Sequence, residues 1–127
     1  MRIGKVIGTV TLGKIHPDLR SGQLKIVVPL TFNDLVGDEP VYVKNDYTAS
    51  TVEHSFQEKV LKSRGTELVV YDELSAGVGE WIAFSEGAEA AMPFYPDMKP
   101  IDAYAAAIID SLEIDQGAVQ ELCRFSK

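Results

Sequence analysis

A chain of 127 residues, 46% hydrophobic and 24% charged, has ordinary globular proportions and room for one domain with a real core, which excludes collagenous, low-complexity and highly charged disordered architectures. Its longest apolar run, Ala103–Ile109, is far short of the roughly 20 residues a membrane helix needs, and its single cysteine excludes an internal disulfide. The net charge of −7 is unevenly spread, with five basic and one acidic side chain in residues 1–30 against twelve Asp/Glu and one Lys in residues 66–121, a balance that argues against nucleic acid and anionic membranes as partners.

Residues 2–12 are rich in β-branched side chains and predict a first strand, with Ile3, Lys5, Ile7, Thr9 and Thr11 on one face and Gly4, Val6, Gly8, Val10 and Leu12 on the other. Gly4 and Gly8 within it mark the bulges or bends by which a small barrel curls, and with Thr9 and Thr11 they break the apolar stretch in a way unlike a secretory signal, so an intracellular chain is expected. Pro17-Asp18 and Ser21-Gly22 punctuate a loop, and residues 23–28 form a second strand that Pro29 ends or places at an edge. A short extra strand fits Val41–Lys44. Ser50, with Glu53 three residues later, has capping-box spacing, and Val52, Phe56 and Val60 follow at helical intervals up to a stop at Gly65. Strands are expected at Thr66–Leu74 and Glu80–Ser85, joined by the turn Ser75-Ala76-Gly77-Val78-Gly79, and a fifth at about Ala103–Leu112. A second helix is expected at about Gln116–Phe125, started by Asp115, with Ala118, Leu122 and Phe125 along one face. The fold class that follows is mainly β: a small five-stranded barrel of the oligonucleotide/oligosaccharide-binding type, with an inserted helix and a C-terminal helix.

Reactive constellations are weak. The segment from Gly8 to Gly13-Lys14 nearly matches a phosphate-binding loop, but Ile15 stands where a hydroxyl must hold magnesium, and Thr-Val-Thr-Leu is strand sequence rather than permissive loop. His16 precedes a proline in a polar loop and His54 lies on a solvated helix position, so both read as surface histidines. Cys123, beside Leu122, reads as a small buried apolar side chain. Asp72-Glu73, Asp102 and Asp110 lie near apolar segments, but neighbouring strand positions face opposite ways and cannot form a facing acid/base pair. Tyr71, Trp81 and Phe84 read as core or interface packing rather than a stacking platform for single strands, given the acidic surroundings. No metal or cofactor is expected.

Taken in order, several blocks resemble the EutN/CcmL family, the pentameric vertex proteins of bacterial microcompartment shells such as carboxysomes. The opening Met1-Arg-Ile-Gly-Lys-Val-Ile-Gly-Thr-Val10 looks like the family's first strand, His16-Pro17 with Leu19 like the following loop, and Leu24–Leu30 like its second strand. Val69–Trp81, VVYDELSAGVGEW, resembles its most characteristic segment; Gly87-Ala88 falls where the family has Gly-Ser, and Pro100–Asp110 resembles its closing strand. The chain departs from the family by an insertion at about residues 31–65, by an extension at about 113–127, and by Tyr71 and Glu73-Leu74 beside the aspartate. The resemblance implies one shell vertex domain over residues 1–127 and no enzymatic activity. It implies a cytoplasmic homopentamer that caps the five-fold corners of a polyhedral shell, with itself and hexameric shell proteins as partners. On this reading Ser75, Ala76, Gly77, Val78, Gly79 and Glu80 form an intersubunit or axial turn, Trp81 packs beneath it, and Lys14, His16 and Pro17 belong to a neighbour-facing loop. The competing reading is an acidic barrel that binds a small ligand or single-stranded nucleic acid.

Overall fold

The computed structural model describes residues 1–31, 34, 43–44 and 67–125. The elements with described bounds follow in chain order: β1 (Arg2–Val10), β2 (Gln23–Pro29), β3 (Val43–Lys44), β4 (Leu68–Asp72), β5 (Trp81–Glu86), β6 (Ala103–Ile109), β7 (Ser111–Leu112) and α1 (Gln116–Phe125). Five of them close into a barrel in the order β1-β2-β4-β6-β5. All neighbours are antiparallel except β4 and β6, which meet in parallel through Tyr71 and Tyr104. The expected strand at Val41–Lys44 is described at Val43–Lys44 and stands outside the barrel, paired with β7. The expected fifth strand breaks at Asp110 into β6 and β7, so its last residues belong to that separate ladder. The expected helix between Ser50 and Gly65 lies outside the described residues.

Closure depends on irregularities in β1 and β6, the latter an extra residue, Ala106, opposite the Ala83–Phe84 step of β5. The β1–β2 register shifts between Val6 and Gly8, as the glycine at 8 foretold. That bulge also reverses the alternation: Val6 pairs with Val27, yet Thr9 pairs with Lys25, two residues along β2 on the same face. Thr9 therefore shares the side of Val6, which corrects the face assignment made from unbroken alternation. Gly4 marks no bulge; a side chain there would meet Val27 Cγ1 at 2.6 Å and the Val28 carbonyl at 2.8 Å, so glycine lets β1 and β2 close over Phe84.

The core is the barrel interior: Val6, Val27, Val70, Ala76, Ile82, Phe84, Ala103 and Ala105 form one buried cluster. Residues as large as Ile82 and Phe84 each contribute roughly 1.5–3 kcal/mol by leaving water. Outside the barrel wall, Tyr71, Phe94 and Tyr104 pack together at 5.2–6.4 Å between ring centres, the two tyrosines stacked and Phe94 edge-on to both. Lys99 closes this cluster, its Nζ 4.7 Å from the Phe94 ring centre and 5.3 Å from that of Tyr71 while donating to the Asp18 carbonyl. The connection between β5 and β6 is thereby latched to the β1–β2 loop. In α1, Asp115 caps the first turn by accepting from the Ala118 N–H at 2.9 Å, as its position predicted. The buried face differs from expectation: Val119 is buried, whereas Leu122, Phe125 and Cys123 are exposed. Cys123 is thus not a core side chain. No helix among the described residues is long and apolar enough to cross a membrane.

Candidate functional site

The segment between β4 and β5 is organised by the side chain that ends β4. Asp72 is 1% exposed, and its two carboxylate oxygens accept the Leu74 N–H at 2.9 Å and the Ala76 N–H at 2.7 Å. This is an aspartate-led turn, in which the side chain accepts backbone N–H groups a few residues on, and it curls the chain so that Ala76 enters the core. Ser75 takes the left-handed conformation, φ 61°, and Gly79 does so at φ 91°. The turn then rejoins the barrel: the Gly79 N–H donates to the Val6 carbonyl at 2.8 Å and the Val6 N–H to the Glu80 carbonyl at 2.9 Å, continuing the β1–β5 ladder. Val78, 67% exposed, Leu74 and Ser75 stand on the outer surface. Trp81, 7% exposed, opens β5 beneath the turn, with Lys5 Nζ 5.7 Å from its ring centre. An exposed apolar tip thus rides on a base tied by a buried carboxylate and two ladder bonds.

Electrostatically, the turn holds one unfinished group. Glu80 Oε2 is buried without a hydrogen-bond partner among the described residues, a state that costs free energy unless a donor arrives from elsewhere. Gly77 lies against the same carboxylate, since a side chain there would meet Glu80 Oε1 at 3.4 Å.

Lys14, His16 and Pro17 lie in the β1–β2 loop and are exposed. His16 Nδ1 accepts the Asp18 N–H at 3.2 Å and caps the short 3-10 turn Pro17–Leu19, which gives the ring a local structural task. The topology brings this loop and the 73–80 turn to one end of the barrel, where β1 and β4 finish and β2 and β5 begin.

The carboxylates and aromatics singled out from sequence separate by role. Asp72 and Glu73 do face opposite ways, one buried and one exposed. Glu73 Oε2 accepts the Tyr104 phenol at 3.0 Å. Burial, then this hydrogen bond and the nearby negative charge, raise the Tyr104 phenol above the ordinary tyrosine range. Tyr71 and Phe84 are fully buried, so they offer no face on which a base could stack. Two groups escaped the sequence reading: the Lys99 latch, which depends on residues far apart in the chain, and Lys25, a strand lysine that is 6% exposed. For Asp72 a signal existed, an aspartate three residues before the Ser75–Gly79 turn. Among the described residues no three His, Cys, Asp or Glu side chains converge as metal ligands.

Comparison with known proteins yields one family. The model described as ethanolamine utilisation protein EutN/carboxysome matches residues 1–110. No curated protein matches the sequence. Among solved structures, the chain is similar to the GrpN pentameric microcompartment shell protein from Rhodospirillum rubrum, with 28% identity, TM-score 0.58 and coverage of 91% of this chain and 100% of that one. It is also similar to CcmL of Nostoc sp. PCC 7120, with 26% identity, TM-score 0.57 and coverage of 88% and 92%. Escherichia coli EutN, 20% identical with TM-score 0.60 and coverage of 91% and 92%, shares the fold.

Proposed function

This chain belongs to the EutN/CcmL family, and from that premise we propose that its role is structural: five copies form a ring that caps the five-fold vertices of a microcompartment shell in the cytoplasm. The observation that carries this reading is the family match over residues 1–110, supported by the 28% identical relative described as a pentameric microcompartment shell protein. A flat sheet of hexameric tiles cannot close without five-fold defects, and one head-to-tail contact repeated around an axis makes a ring that shuts on itself. Such work needs surfaces rather than a reacting group, so the subunit catalyses nothing.

The 73–80 turn supplies surface of the right kind. Its tip exposes Leu74 and Val78, its base is tied to β4 and β1, and Glu80 carries a buried oxygen with no donor among the described residues. Ser75 to Glu80 accordingly lie at the subunit contact or around the axis, supported by Trp81, with Lys14, His16 and Pro17 facing a neighbour at the same barrel end. Native mass spectrometry tests the ring: five subunits of 13.9 kDa give a species of about 69.5 kDa. Co-expression with hexameric shell proteins, viewed by electron microscopy, tests the cap, which requires closed polyhedra with this chain and open sheets or tubes without it. A subunit that stays single at every concentration, or shells that close equally well in its absence, would refute the assignment.

A further inference from the structure

A closed ring built from one repeated contact joins two different flanks of the subunit. In the barrel order, β6 neighbours β4 and β5, so it lies across the barrel from the β1–β2 pair. The two flanks differ in charge. The segment bearing β1 and β2 holds Arg2, Lys5, Lys14, Arg20 and Lys25 against Asp18, whereas β6 is bracketed by Asp102 and Asp110, with Glu113 following.

Lys25 is the unusual member. It pairs with Thr9 on one side and Val70 on the other, on the face of β2 that Val27 shows to be the barrel side. The residue is 6% exposed, and its Nζ makes one long bond, to Thr9 Oγ1 at 3.4 Å. No described carboxylate lies within ion-pair range of it. An ammonium has three donors, and burying it so poorly matched is costly until a partner arrives. Lys25 also lines an open groove of about 510 Å³, together with Thr9, Thr11 and Gln23 and the apolar walls of Leu12 and Ile15. Leu12 and Ile7 are each more than two-fifths exposed on this flank. Across the barrel, β6 exposes Ala106, Ala107 and Ile108 and ends at Asp110, whose exposed carboxylate has no hydrogen bond or ion pair among the described residues. Asp110 stands at the end of β6 that pairs with the start of β5, the same barrel end that holds Lys25.

We propose that the β1–β2 flank of one subunit packs on the β6 flank of a second copy, with the Lys25 ammonium receiving the Asp110 carboxylate of that copy in the groove. This contact rests on the ring reading and names the two faces that make it. Each half supplies what the other lacks: a buried cation under an apolar rim, and an exposed anion beside an apolar strand.

Native mass spectrometry over a dilution series, on wild type, Lys25→Met and Asp110→Lys, tests it. Loss of one partner of a desolvated charge pair should raise the concentration of half-dissociation at least about tenfold in both variants. Circular dichroism melting of the dilute subunit should be unchanged for Asp110→Lys, a surface substitution. If Lys25→Met fails to fold, Asp110→Lys still decides: a ring as persistent as wild type overturns the proposal. A Lys25→Met ring that persists, with a wild-type melting temperature that rises on adding inorganic phosphate, means that the groove holds a free oxyanion and also overturns it. A wild-type chain that forms no ring refutes the proposed function itself, a result distinguishable from either of these.

Discussion

Alanine at Gly77 and at Gly79 should separate the demands of folding from those of assembly. At Gly79, φ is 91° and an added Cβ meets no atom within 4 Å, so the cost is wholly conformational. Forcing an L side chain into left-handed backbone costs about 1–2 kcal/mol. With a urea slope of about 1–3 kcal/mol per M, that lowers the unfolding midpoint by on the order of 0.5–1 M. At Gly77 the backbone is not left-handed and the new methyl lies 3.4 Å from Glu80 Oε1, an ordinary contact with the end of a side chain. The reduced freedom of the unfolded chain there offsets any crowding by about 0.4–1 kcal/mol, so the dilute subunit should be as stable as wild type or slightly more so. If Gly77 meets a neighbour's backbone, the same methyl should weaken the ring about tenfold. Urea denaturation followed by circular dichroism at low protein concentration measures the first effect, and a native mass-spectrometric dilution series the second. A Gly79→Ala subunit with an unchanged midpoint, or a Gly77→Ala subunit that loses as much as Gly79→Ala, would refute the reasoning.

Removing the Asp72 carboxylate should cost the subunit about 3 kcal/mol in Asp72→Ala, since the buried Ala76 N–H loses its acceptor; Asp72→Asn, which keeps one acceptor, should lose about half as much in the same urea assay. Tyr104 should ionise above the ordinary tyrosine value in a spectrophotometric titration, and Glu73→Gln should bring it partway back, because burial is the larger cause. Since its folded value is raised, the stability linked to Tyr104 is whole below the ordinary tyrosine value of about 10 and is lost as pH climbs through the higher folded value. Lys99→Met should leave the barrel intact but speed amide exchange in residues 16–22, because the latch between Asp18 and the Tyr71–Phe94 pair is gone.

Order and kind of element were readable from local pattern. Alternation rich in β-branched residues marks β1, and short apolar runs between turn signals mark β2, β4 and β5; glycine at position 8 marks the bulge; an aspartate before Gln116 marks the helix start. Each of these is written within a few residues, and the ordered blocks around Val69–Trp81 carried the family resemblance in the same way. Position across the barrel was not readable, because it depends on registers between strands distant in sequence. One bulge moved Thr9 to the face of Lys25, and only the pairing of β1, β2 and β4 shows that this lysine is buried. The separation of β7 from β6, the exposure of Cys123 and the junction of Lys99 with Asp18 likewise follow from which segments meet once the barrel closes. The sequence by itself determined a β-rich shell-family domain with a tightly turned segment between two strands. Tertiary structure alone decided which charges lie buried, since desolvation belongs to the packed surroundings of a side chain and not to its neighbours along the chain.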